Sequence, residues 1–265
     1  MLNNIFAKTL RDNRWTIFWY AVGLVAISFY LMYFFPYISR QQEIFKVLDN
    51  MPAFIKNLVG DTANLGTPEG FFHIQPFSIF APFIFLIFSI SKGAEAVAGE
   101  NEKGTLDLLL SSPISRRRVT AEKFGAIAAA SLFLSVIFWG GMTLASTVFS
   151  IAISPLRLGE AILSCFMFST AFTALTMTLG SLTLKKKMSI GIVSGYAIVA
   201  YLVNAYAPMV TLLKSYRPFS LFYYYNGASP VIYGLDIGHF LVLLGITILF
   251  FVLAALLFEK RDLIA

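Results

Sequence analysis

The chain has 265 residues, of which 58% are hydrophobic and only 13% charged. A soluble domain carries about 25% charged residues, so the composition excludes an ordinary soluble enzyme or binding module and points to a bilayer. The formal net charge of +6 does not call for nucleic acid, because a membrane protein concentrates Lys and Arg on one side.

Residues 1–14, MLNNIFAKTLRDNR, place Leu2, Ile5, Phe6 and Leu10 on one helical face, with Lys8, Arg11, Asp12 and Arg14 largely elsewhere. This predicts an amphipathic helix lying at the headgroups, or a basic flank that only sets topology. Six runs then lack Asp, Glu, Lys and Arg: Trp15–Ser39, Phe71–Ser91, Phe124–Leu156, Ala161–Leu184, Met188–Leu213 and Ile237–Phe258. Each is long enough for a helix to cross a hydrocarbon core of about 30 Å. Barrel strands would alternate in polarity, and none of the runs does. The expectation is one all-α integral membrane domain over residues 1–265, with spans at about 15–36, 76–98, 124–152, 159–183, 188–212 and 237–258. The first span is too long for a signal-peptide core and is followed by no small-residue cleavage site, so it reads as a retained anchor.

With the N-terminus inside, fourteen of the 20 Lys and Arg fall on the inner segments and six on the outer ones. That asymmetry places both termini in the cytoplasm. Outside, Gln41–Gly60 carries a second amphipathic pattern, interrupted by Pro52. Lys185–Lys187 form a tight basic turn between spans four and five. Residues 214–236, KSYRPFSLFYYYNGASPVIYGLD, are too broken for a span and too apolar for a free loop, which fits an outer re-entrant segment. Small residues gather at Ala126, Ala130 and Ser131 and at the GxxxG pair Gly191 and Gly195.

Sequence signatures of catalysis are missing. There is no Walker loop, no HExxH, no GxSxG and no carboxylate pair within a span. His239 one turn after Asp236, and His73 at a span boundary, read as interfacial histidines rather than metal ligands. Cys165 is alone. Lys92 and Glu95, three apart at the inner end of the second span, are placed to pair and snorkel rather than to relay protons.

The most informative stretch is the inner loop, residues 99–123. Gly104-Thr105 reads as a helix start, Leu106, Leu109 and Leu110 share a face, Pro113 ends the helix, and Ser115 caps the next. The run ENEKGTLDLLLSSPISR closely resembles the signature loop of type-2 ABC exporter permeases. Glu100, Gly104, Thr105, Leu106, Asp107, Leu109, Leu110, Pro113, Ile114, Ser115, Arg116 and the following Lys123 carry the match. The resemblance extends to the amphipathic N-terminus, the six spans and the aromatic segment before the last.

The resemblance implies a permease that is not itself an enzyme, in the plasma membrane of a prokaryote, paired with a second copy or homologue. It implies no cofactor on this chain; ATP and Mg belong to a separate cytoplasmic cassette ATPase, in two copies. The loop residues named, together with Glu102, would form the coupling helix. Phe6, Lys8, Leu10 and Arg11 would form a neighbouring contact. A pathway between spans two and five would be lined by Phe85, Phe88, Tyr201 and Asn204, favouring a lipophilic drug, peptide or lipid. Asn204 has an interhelical hydrogen bond as its plainer role. A membrane scaffold serving maturation of a partner protein, and an ATP-independent channel or carrier, remain as alternatives.

Overall fold

The structure is a computed structural model that describes residues 4–40, 67–102, 104 and 115–260. The expected outer amphipathic segment at 41–60 lies outside the described residues.

Asn4 caps α1 (Ile5–Asp12), its side chain accepting the Ala7 amide at 2.8 Å. Ile5 is buried and Leu10 packs on the core, while Lys8 and Arg11 are exposed, so α1 is the amphipathic helix the sequence predicts. It lies against the third span, where the Phe6 ring covers Gly125. The chain turns at Asn13 into α2 (Arg14–Arg40), the first span. Trp15, Phe18 and Trp19 are exposed near one end of α2, and Tyr30, Tyr33, Phe34 and Tyr37 near the other. Aromatic girdles of this kind sit at the two membrane interfaces.

The second span, α3 (Pro68–Glu102), is longer than the expected 76–98 and continuous. Its N-terminal part, His73–Phe80, and its C-terminal part, Glu95–Gly99, are wound as π-helix on either side of an α-helical middle, Ala81–Ala94. Pro76 and Pro82 explain the outer irregularity, since each lacks an amide to close an α-helical bond. The Ala81 amide instead reaches back to Pro76 O.

The third span is α4 (Arg116–Val148), the fourth α5 (Pro155–Thr183), the fifth α6 (Lys186–Tyr206) and the sixth α10 (Ile237–Glu259). The fifth ends six residues before the expected boundary, because the chain there turns back toward the bundle. Leu184, in a left-handed conformation, terminates the fourth span and leads into the basic turn.

The fourth span is the hub of the bundle and the most enclosed of the six. Its hydroxyls Thr173 and Thr176 donate to carbonyls one turn earlier and Thr178 to Phe250 O of the sixth span, so they are buried without an unmet bond. Ser169 also joins Ser89 (2.6 Å) and Ser131 (3.0 Å), linking spans two, three and four through three serines. Gly93 lets spans two and four close up, since a Cβ there would lie 2.9 Å from both Thr173 O and Thr176 Cβ. Ala126, Ala130 and Ser131 are buried within the chain. Gly191 and Gly195 differ: beyond their own stretch of helix, no atom of the described residues lies within 4 Å of a Cβ built on either.

Between spans five and six the chain forms α7 (Thr211–Lys214), a 3₁₀ turn (Arg217–Phe219), α8 (Leu221–Asn226) and α9 (Pro230–Tyr233). Leu221, Phe222 and Tyr225 are buried. Ser220 Oγ donates to Ala200 O and Tyr196 OH to Phe219 O, both well inside the fifth span. The segment is therefore re-entrant, with its polar backbone satisfied by protein rather than lipid.

Candidate functional site

The inner loop leaves the second span at Glu100–Glu102 and enters the third at Arg116. Both ends are held by charged side chains. Lys123, only 3% exposed, sets its ammonium 2.9 Å from Glu100 Oε1 and donates to Ala96 O at 2.7 Å. Ala96 lies in the inner π-helical stretch, where the altered bonding pattern makes a backbone carbonyl available to a side chain. One buried cation thus bridges the exit and the entry of the loop. Lys92 and Glu95 pair beside it at 3.0 Å, as their spacing predicts.

Further contacts tie the stem to the rest of the bundle. Glu102 Oε1 accepts the Lys186 amide at 2.8 Å, capping the start of the fifth span, and Asn101 Nδ2 donates to Leu184 O. Ser115 caps the third span as expected, accepting from the Arg118 amide. Arg116 Nη1 donates to the carbonyls of Phe258 and Glu259 at the end of the sixth span, and Arg117 pairs with the Glu259 carboxylate at 2.6 Å. A guanidinium at a helix C-terminus satisfies carbonyls that lack intrahelical partners and complements the helix dipole. Arg118 pairs with Glu122 at 2.6 Å, while Glu122 Oε2 accepts the Ile5 and Phe6 amides of α1 at 2.8 and 3.3 Å.

These contacts alter the expected division of roles. Glu100 and Glu102, expected at the coupling site, both have contacts within the chain: Glu100 with Lys123, and Glu102, which stays exposed, with the Lys186 amide. Arg116 is likewise turned to the sixth span. Gly104 takes a left-handed backbone (φ +66°) that favours glycine, with its amide on Asn101 O, and marks where the chain leaves the stem. Thr105, Leu106, Asp107, Leu109, Leu110 and Pro113 lie outside the described residues. Glu122, Asn101 and Glu259 are the stem residues that sequence reasoning missed. The spacing of Arg118 and Glu122 gives their pair, but nothing local signals that the same carboxylate caps α1.

Between α1 and the bases of spans two and three lies a cavity of about 430 Å³, lined in part by Lys8, Asp12, Lys92, Glu95, Glu100 and Lys123. Three cations face three carboxylates there, so the chamber has no net preference for ions of either sign.

The expected pathway residues divide. Phe85 and Phe88 are each 1% exposed, and Phe88 packs edge-on against Tyr20 of the first span. They belong to the core of the chain, whereas Phe83 and Ile87 face outward on the same span. Tyr201 sits between Phe83 and Phe222, at 5.4 Å from each ring. Asn204 Oδ1 accepts from Arg217 Nε at 3.1 Å, and the Arg217 guanidinium lies 4.8 Å over the Tyr223 ring. The plainer role of Asn204 is the observed one. At the outer end of the sixth span Asp236 accepts the His239 amide at 2.9 Å, which holds its carboxyl below the usual carboxylate range. The His239 ring lies against Tyr223 and Tyr224. Among the described residues no group of three or more His, Cys, Asp or Glu could hold a metal ion.

A search of the curated proteins returned no match. The family model described as ABC-2 family transporter protein matches residues 4–263. That match runs from the capping residue of α1 past the end of the sixth span, and the chain belongs to the ABC-2 transporter family.

Proposed function

We propose that this chain is the transmembrane subunit of an ATP-driven exporter, and that the loop at 99–123 couples it to a separate cassette ATPase on the cytoplasmic side. The observation that carries the reading is the buried Lys123–Glu100 bridge across the loop stem. A lever transmits force only if its root is stiff, and this root is joined at once to α1 and to spans two, three, five and six. With Glu100 and Glu102 assigned to the stem, Asp107 and the leucines 106, 109 and 110 are left to meet the ATPase. The leucines would supply apolar area and Asp107 a charge-assisted bond. Closure of two ATPases would move two such roots and rock two six-helix bundles between inward-open and outward-open forms, carrying a lipophilic cargo between spans two and five of the paired chains.

The test is co-purification of this chain with a cassette ATPase from the same genome, followed by reconstitution in liposomes. Asp107→Arg should release the ATPase or leave hydrolysis unresponsive to the permease, with the six spans intact by circular dichroism. An Asp107→Arg chain that binds and stimulates the ATPase like the parent overturns the reading.

A further inference from the structure

The fifth and sixth spans each pack on the fourth but scarcely on each other. Between them is a groove of about 400 Å³. Leu175 and Leu179 form its floor, Val193 and Ile246 its sides, and Phe219 and Leu221 of the re-entrant segment close it from the outer side. The helical rise of 1.5 Å per residue sets its depth: from Leu179 to Ile246 it extends from about 6 to about 20 Å above the inner ends of the spans. That range begins in the half of the bilayer adjoining the loop-bearing face and reaches past the midplane of a core about 30 Å thick.

Polar atoms at this groove are already engaged. Tyr196 OH donates to Phe219 O, and Thr178 Oγ1 donates to Phe250 O. An occupant that brought polar groups would desolvate them without a return bond. The groove is too small to take a whole helix, since a cylinder 10–12 Å across needs roughly 1000 Å³ for two turns. A methylene occupies about the 30 Å³ of a liquid water, so the groove fits roughly a dozen of them. The inner rim is basic, with Lys185 and Lys187 exposed where the fifth span begins and Lys260 exposed where the sixth ends. Lysines at this level attract anionic headgroups.

We propose that the groove holds one acyl chain of an anionic phospholipid, with its phosphate at the Lys185, Lys187 and Lys260 rim. The lipid is a resident wedge that sets the spacing of two loosely packed spans, and the assignment is independent of the ATPase reading.

The experiment is native mass spectrometry of the purified, delipidated chain titrated with palmitoyl-oleoyl phosphatidylglycerol and, in parallel, phosphatidylcholine. The parent should retain one phosphatidylglycerol per chain and prefer it over phosphatidylcholine. Ile246→Trp and Leu179→Phe, which fill the groove from different sides, should each lose that lipid while circular dichroism stays unchanged. Val199→Trp, at a position of the fifth span that is 59% exposed and outside the groove, should keep it. The triple change Lys185→Gln, Lys187→Gln and Lys260→Gln should keep a lipid but lose the preference. Equal lipid counts in Val199→Trp and both filled variants overturn the proposal. So does a Phe219→Cys chain that cross-links to a second polypeptide instead of protecting its thiol with lipid.

Discussion

Lys123 shows how much one side chain contributes at the root of the loop. Removing only its partner leaves a cation that is 3% exposed with one carbonyl bond and, farther off, the Glu95 carboxylate that already pairs with Lys92. Breaking a buried pair from one side costs about 3 kcal/mol or more, whereas replacing both partners by apolar groups is far milder. Glu100→Ala should therefore lower the thermal midpoint in detergent more than the double change Glu100→Leu with Lys123→Met. A double variant as unstable as the single would show that the pair is not the feature that matters. At the outer end, Asn204→Ala removes the acceptor for Arg217 Nε. A hydrogen bond to a charged group contributes about 1.5–3 kcal/mol, so unfolding of this variant in detergent should shift by a comparable amount. If Asn204 instead served cargo alone, stability would not change.

At the scale of elements, the spans and the amphipathic helix were legible because charge-free length and helical periodicity are local properties. The loop stem was legible in part: the Ser115 cap and the Lys92–Glu95 pair follow from spacing along one helix. The contacts of Glu100 and Glu102 within the chain were not, since their partners Lys123 and Lys186 arrive from other helices. The second span misled for a different reason. Phe83, Phe85, Ile87 and Phe88 lie in one α-helical stretch that is apolar all round, so no polar face marks that Phe85 and Phe88 point inward while Phe83 and Ile87 point out. The same span depends on Gly93. Gly93→Leu forces a side chain into backbone 2.9 Å away on the fourth span and should destabilise by roughly 1–3 kcal/mol or more, read as a lower unfolding midpoint. Ala at this position should fall between the two, because its Cβ already meets Thr173 O.

For the whole molecule, the first, fifth and sixth spans are the least enclosed, and Gly191 and Gly195 on the fifth have no described neighbour outside their own helix. If two copies pair through the fifth span, Gly191→Leu should leave the unfolding midpoint of the single chain unchanged while abolishing the paired form in sedimentation or cross-linking. An unaltered paired form would place the contact elsewhere. The second span crosses the whole bundle, and at each end a carbonyl from its π-helical stretch is held by a distant side chain: Phe77 O by Tyr225 OH at 2.7 Å, and Ala96 O by Lys123. Between those two moorings lies a rod of 14 residues, Ala81–Ala94. A π-turn carries one residue more than its α-helical equivalent, so the rod has slack in reserve at both ends. Any turn of the rod about its own axis must break the Ser89–Ser169 bond and slide Gly93 past Thr173, and spin labels at Phe83 and Ile87 would register it as a rotation without a change in the length of the span.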